Sequence, residues 1–124
     1  MNNTIEQAAP GIWLITFDSP ELMDAANSKH LVPPLIEGSK EGPIVLLGAL
    51  PSNPKIIAPS LVPFWLDAFV LKGIKVRAIG LATTSTSMRV MLNGVELAMR
   101  IQNRPIKTVT KPTVHELLTW ATNL

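Results

Sequence analysis

The chain has 124 residues, of which 47% are hydrophobic and 16% charged, with 11 Pro, 7 Gly and no Cys. The apolar fraction supports a packed core and excludes wholesale disorder, the length suits one domain, and the lack of cysteine excludes disulfides, thiolate metal sites and cysteine nucleophiles. The net charge of +2 is unevenly placed: residues 1–71 hold seven acids against three lysines (−4), and residues 72–124 hold eight bases against Glu96 and Glu116 (+6).

Pro10-Gly11 marks a turn, and segment 11–18 alternates Ile12, Leu14 and Thr16 with Trp13, Ile15 and Phe17, so both of its faces are largely apolar. It reads as a strand, paired in a hairpin with residues near 3–7 and closed by Ser19-Pro20. Asp24 to Glu37 reads as a helix made irregular by Pro33-Pro34, since each proline removes a backbone donor. Gly42-Pro43 opens the aliphatic run Ile44 to Leu50, the pattern of a strand buried on both faces. A loop follows at 51–54. Residues 60–72 read as a helix, with Ser60 as its N-cap, Pro63 in the first turn and Gly73 as its stop.

Ile74 to Leu81 is the next strand, and the hydroxyl-rich TTSTS at 83–87 starts a helix whose Met88, Met91, Leu92, Val95, Ala98 and Met99 recur at helical spacing. Arg89, Asn93, Glu96 and Arg100 take the opposite face. Ile106 to Val109 is a last strand, and 112–123 a last helix. Strands alternating with helices imply parallel pairing and right-handed crossovers. The expected fold is one α/β domain over 1–124: a mixed, mostly parallel sheet of about four or five strands, with helices packed on it.

The chain resembles the STAS domains, the family of anti-sigma-factor antagonists and of the cytoplasmic domains of sulfate transporters. GIWLITF resembles the family's opening strand, LMDAANSKHL its acidic entry into the first helix, and PIVLLGAL its central buried strand. IIAPSLVPFWLDAFVLKG-IKVRAIGL parallels its signature region, and TSMRVMLNG and KPTVHELLTWA its last helical segments. The resemblance implies a STAS-like sandwich and a non-enzymatic regulatory module that acts on a protein partner. It also implies phosphorylation at the signature serine, for which Ser60 stands. The family's Asp-Ser-Ser/Ala-Gly run is replaced here by Ala58-Pro59-Ser60-Leu61, without its Asp and Gly. GIWLITFDSPELMDAAN also resembles the opening of the crotonases, but only over one hairpin, and the glycine-rich oxyanion region is missing.

Four groups of residues bear on function. Ser60, at a helix start, is either a cap or a phosphorylation site, because exposed amides and the helix dipole favour an anion there. Thr83, Thr84 and Ser85 with Arg89 form a second helix start beyond a strand end, where a nucleotide or other anion would bind; ordinary capping is the alternative. The helix at 60–72 is apolar all round, which suggests that Phe64, Trp65 and Phe69 meet a partner protein or a second copy in a homodimer, with packing beneath neighbouring elements as the alternative. The acids Asp18, Glu21 and Asp24 cluster at a turn. His30 and His115 stand alone, so no metal site, cofactor or catalytic set is expected. The bases are spaced singly, with Trp120 the one aromatic among them, which reads as a solvated face rather than a nucleic-acid surface. The opening MNNTIEQAAPG lacks the basic and apolar regions of a signal peptide, and Lys55 and Asp67 interrupt the most apolar stretch. No membrane partner is expected, and a cytoplasmic location is.

Overall fold

The computed structural model describes residues 2–51 and 58–124. Residues 52–54 of the expected loop at 51–54 lie outside the described residues, as do Ile56 and Ile57 of the stretch that resembles the family signature. The chain runs through β1 (Thr4–Ala9), β2 (Ile12–Thr16), α1 (Val32–Gly38), β3 (Ile44–Ala49), α2 (Leu61–Val70), β4 (Val76–Ala82), α3 (Thr86–Ile101), β5 (Lys107–Lys111) and α4 (Val114–Thr122), with 3₁₀ turns at Pro20–Leu22 and Lys29–Leu31. The strands form one five-stranded sheet in the order β1-β2-β3-β4-β5. β1 and β2 pair antiparallel, whereas β2 to β5 run parallel, each joined to the next by a segment carrying a helix. The α/β architecture and its mixed, mostly parallel sheet are thus as the strand–helix alternation implies.

The aliphatic run of β3 is buried on both faces because two helical layers compete for it. Ile44 and Leu46 join one core with residues of α1, α2 and α3, while Val45 and Leu47 join a second core with Leu117 and Ala121 of α4. β4 divides likewise, Ile79 and Leu81 facing α2 and α3, and Ala78 and Ala82 facing α4. A register shift against Ile44/Val45 leaves Arg77 between the paired residues Val76 and Ala78. Such bulges turn one side chain out of the ladder, and Arg77 is exposed.

Gly80 is required by a close approach. A Cβ there would lie 2.5 Å from Leu117 Cδ1 and 3.2 Å from both Leu47 Cδ2 and Trp120 Cζ3, so the missing side chain is the space into which α4 settles. Gly73, with φ of +83°, follows α2 in the left-handed region that a helix stop commonly uses.

The expected helix over 24–37 is corrected to a turn, a 3₁₀ turn and the shorter α1. Asp24 is the reason at its start: its Oδ1 accepts from both the backbone N–H and the side-chain Nδ2 of Asn27, each at 2.8 Å. A side chain that satisfies nearby amides offers the backbone an alternative to a helix. Pro33 and Pro34 then fall in the first turn of α1, where no intrahelical donor is needed.

Candidate functional site

The start of α2 meets the segment between β2 and α1. Ser60 is exposed, and its Oγ accepts a hydrogen bond from the backbone N–H of Ala25 at 3.2 Å. Ser60 stands at the expected N-cap position of α2, its carbonyl accepting from Phe64 N–H at 3.2 Å, but the expected capping bond of its hydroxyl is not made. Ser60 has helical dihedrals (φ −76°, ψ −16°) and makes no side-chain bond to the first turn of α2, whereas a capping residue adopts extended dihedrals and reaches forward. A preceding turn, closed by Leu61 N–H donating to Ala58 O at 3.0 Å, places Ser60 in the helical spiral and frees its hydroxyl for Ala25.

The segment that Ser60 touches is held from beneath by Asn3, a residue for which the sequence offered no signal. Asn3 is 2% exposed. Its Nδ2 donates to Leu22 O at 2.7 Å and Asn27 O at 3.0 Å, its Oδ1 accepts from Asp18 N–H at 3.1 Å, and its backbone O lies 2.6 Å from His30 Nε2. Asn3 thus fastens four points of the segment 18–31, three through its side-chain amide and one, at His30, through its backbone carbonyl. Asp18 and Asp24 stand within this knot, and Ser28 Oγ donates to Asp24 O at 2.7 Å. Among the described residues no group of three or more His, Asp or Glu is arranged to hold a metal ion.

At the second candidate site, the hydroxyls of Thr83 and Ser85 are spent inside the turn. Thr83 Oγ1 accepts from Ser85 N–H at 3.0 Å, and Ser85, in extended dihedrals, caps α3 by accepting from Met88 N–H at 3.3 Å. Thr84 and Arg89 are exposed. The two serines therefore differ in stability terms. Ser85→Ala is expected to cost about 1 kcal/mol in urea unfolding, the usual loss for a cap, and Ser60→Ala clearly less. Equal costs would contradict the assignment of the cap to Ser85 alone.

The aromatic residues of α2 form a ladder. Phe64 meets Trp65 edge-on at 5.2 Å between ring centroids, Trp65 stacks on Phe69 at 5.8 Å, and Lys72 Nζ sits 5.6 Å from the Phe64 ring. The expectation that Trp65 and Phe69 meet a partner is corrected: at 9% and 2% exposure they belong to the chain's own core, under α2 and against the sheet. Phe64 is half-buried. Helix α2 is less uniform than its sequence suggests, because Pro63, Asp67, Leu71 and Lys72 gather on solvent. Between the sheet, α2 and α3 lies a cavity of about 70 Å³, walled by apolar side chains that include Met23, Leu46, Trp65 and Met91. The wall turns almost only apolar atoms toward it, so the cavity offers shape rather than polar chemistry.

No family model, curated protein or solved structure matches this chain. Function therefore rests on the residues themselves. No helix among the described residues is long and apolar enough to cross a membrane.

Proposed function

We propose that the chain is a non-enzymatic regulatory module with a STAS-like fold, which docks on a protein partner and is switched by phosphorylation of Ser60. The observation that supports this reading is the Ser60 hydroxyl, exposed at the start of α2 and joined to Ala25 rather than to its own helix. It stands where the resemblance puts the family's modified serine, after the buried central strand and before the helix that follows it. A phosphate there adds about −1.5 to −2 charges at neutral pH. It would end the Ser60–Ala25 bond in its present form and set a strong anion against the turn in which the acidic Asp24 directly precedes Ala25. Like charges repel, so modification would push the 24–28 turn away from α2 and change the surface that both present. The remaining ties of that segment, to Asn3, would keep the change local.

The test is peptide mass spectrometry of the chain purified from its own cells. One phosphate mapped to Ser60, and absent from Ser60→Ala, is expected; a chain without phosphate at Ser60 under every growth condition would remove the switch. In hydrogen exchange, Ser60→Glu is expected to speed exchange at the Ala25 amide while leaving the Asn27 amide, held by Asp24, unchanged. Uniform exchange rates in the two forms would speak against the Ser60–Ala25 tie as the switching element.

A further inference from the structure

Helix α3 is apolar on two opposite sides. Met88, Leu92, Val95 and Met99 lie toward the sheet and are buried, at 1%, 3%, 6% and 2% exposure. Each helical residue turns the side chain by about 100°, so the residue two places further on points nearly the other way. Val90, Gly94, Leu97 and Ile101 stand two places on from those four and repeat their four–three–four spacing on the outer side. Val90 is 63%, Leu97 54% and Ile101 72% exposed, and a Cβ built on Gly94 would meet nothing within 4 Å. Scattered exposed apolar residues need no explanation. Three in one line, at the spacing of a helix–helix seam and with a glycine gap between them, do.

The strip and its borders together decide what fits it. On either side of its midline, helical spacing puts Thr86 and Asn93, and Ser87 and Ala98, all uncharged. Arg89, Glu96 and Arg100 lie further round toward the sheet. Glu96 accepts from Thr108 Oγ1 at 3.0 Å and faces Arg100 at 3.8 Å. The strip itself carries no charge, although Arg89 and Arg100 flank one of its edges; what selects its partner is its large–gap–large–large order, which is complementary to itself. With a two-fold axis between Gly94 and Leu97, Leu97 of each copy falls over Gly94 of the other, and Val90 falls opposite Ile101. We propose that α3 pairs antiparallel with α3 of a second copy through this strip. The same surface serves both copies, so the assembly closes at two, and antiparallel packing sets the helix dipoles in opposition. The strip is about 16 Å long on a helix about 10 Å wide. That area is well below the roughly 800 Å² per partner of a standard interface, so the dimer is expected to dissociate on dilution. This pairing is independent of Ser60, which lies on another helix.

Sedimentation velocity of the full chain over a wide concentration range tests it. The expected result is a mass that rises from one copy to two with concentration. Leu97→Lys and Ile101→Lys each shift that transition at least tenfold, and Leu71→Lys, at an apolar site 76% exposed outside the strip, leaves it in place. Circular dichroism checks that all three fold. Gly94→Leu separates the interface from the fold: it supplies a better helix former, raising thermal stability at low concentration, yet fills the gap and weakens pairing at least tenfold. One-copy mass at every concentration overturns the proposal, as does a dimer indifferent to Leu97→Lys and Gly94→Leu. A single copy that instead holds a different protein, released by Leu97→Lys, would overturn self-pairing and give the strip to that protein.

Discussion

Asn3→Leu is expected to lower the free energy of unfolding by about 3 kcal/mol or more, although the new side chain is apolar, of similar size and sits in a buried place. Hydrophobic burial alone would predict the opposite sign. The reason is what the amide leaves behind. Leu22 O, Asn27 O and Asp18 N–H all bond to the Asn3 side chain, and a buried backbone group without a partner costs about 1–3 kcal/mol. Water could reach some of these groups if the segment loosened, so part of the loss would appear as local opening rather than global unfolding. Urea unfolding measures the total, and hydrogen exchange at Asp18 measures the local share. A loss below 1 kcal/mol with unchanged exchange at Asp18 would show that the knot is incidental. The consequence bears on the candidate site, since the same segment carries the Ala25 amide that binds Ser60.

The parts legible in the sequence are those fixed by periodicity. The run Ile44 to Leu50 announces a strand with cores on both sides, and Met88, Leu92, Val95 and Met99 announce the inner face of α3; β3 and α3 are found there. The parallel pairing of β2 to β5 follows from the alternation of strands and helices, whereas the order of the strands does not. Legibility ends where a side chain acts on a distant backbone. Nothing near Asn3 in sequence points to residues 18–31, because its partners lie 15 to 27 residues away. Ser60 has the residue type and position of a cap, but capping is decided by dihedrals that composition does not reveal. The 24–37 segment has helical periodicity, yet Asp24 and two prolines divide it. The outer strip of α3 is a different case. Its four–three–four spacing can be counted in the sequence, but the charges Arg89, Glu96 and Arg100 draw the eye to a polar face that lies beside the strip rather than upon it.

Trp65→Ala is expected to cost about 3–5 kcal/mol of stability, the range for deleting a large buried aromatic, and to leave the mass in solution unchanged. An all-apolar helix suggests the reverse, with Trp65 as an interface anchor whose loss frees the partner and spares the fold. Burial decides between them. Trp65 is 9% exposed, packs in the same core as Met88 and Leu92 of α3, stacks on Phe69 and already borders a cavity of about 70 Å³. Truncation would enlarge that cavity, and the cost of a large-to-small change grows with the volume left unfilled. Phe69 is tied further, its carbonyl accepting from Arg104 Nη1 at 2.9 Å, so the underside of α2 is braced by the segment after α3 and collapses poorly into the gap. Trp65→Phe retains most of the apolar volume and is expected to recover more than half of the loss. Thermal unfolding and sedimentation on the same samples read both quantities. A lowered mass with an unchanged melting temperature would return α2 to the surface and make its aromatic ladder, not the α3 strip, the face through which this protein meets another.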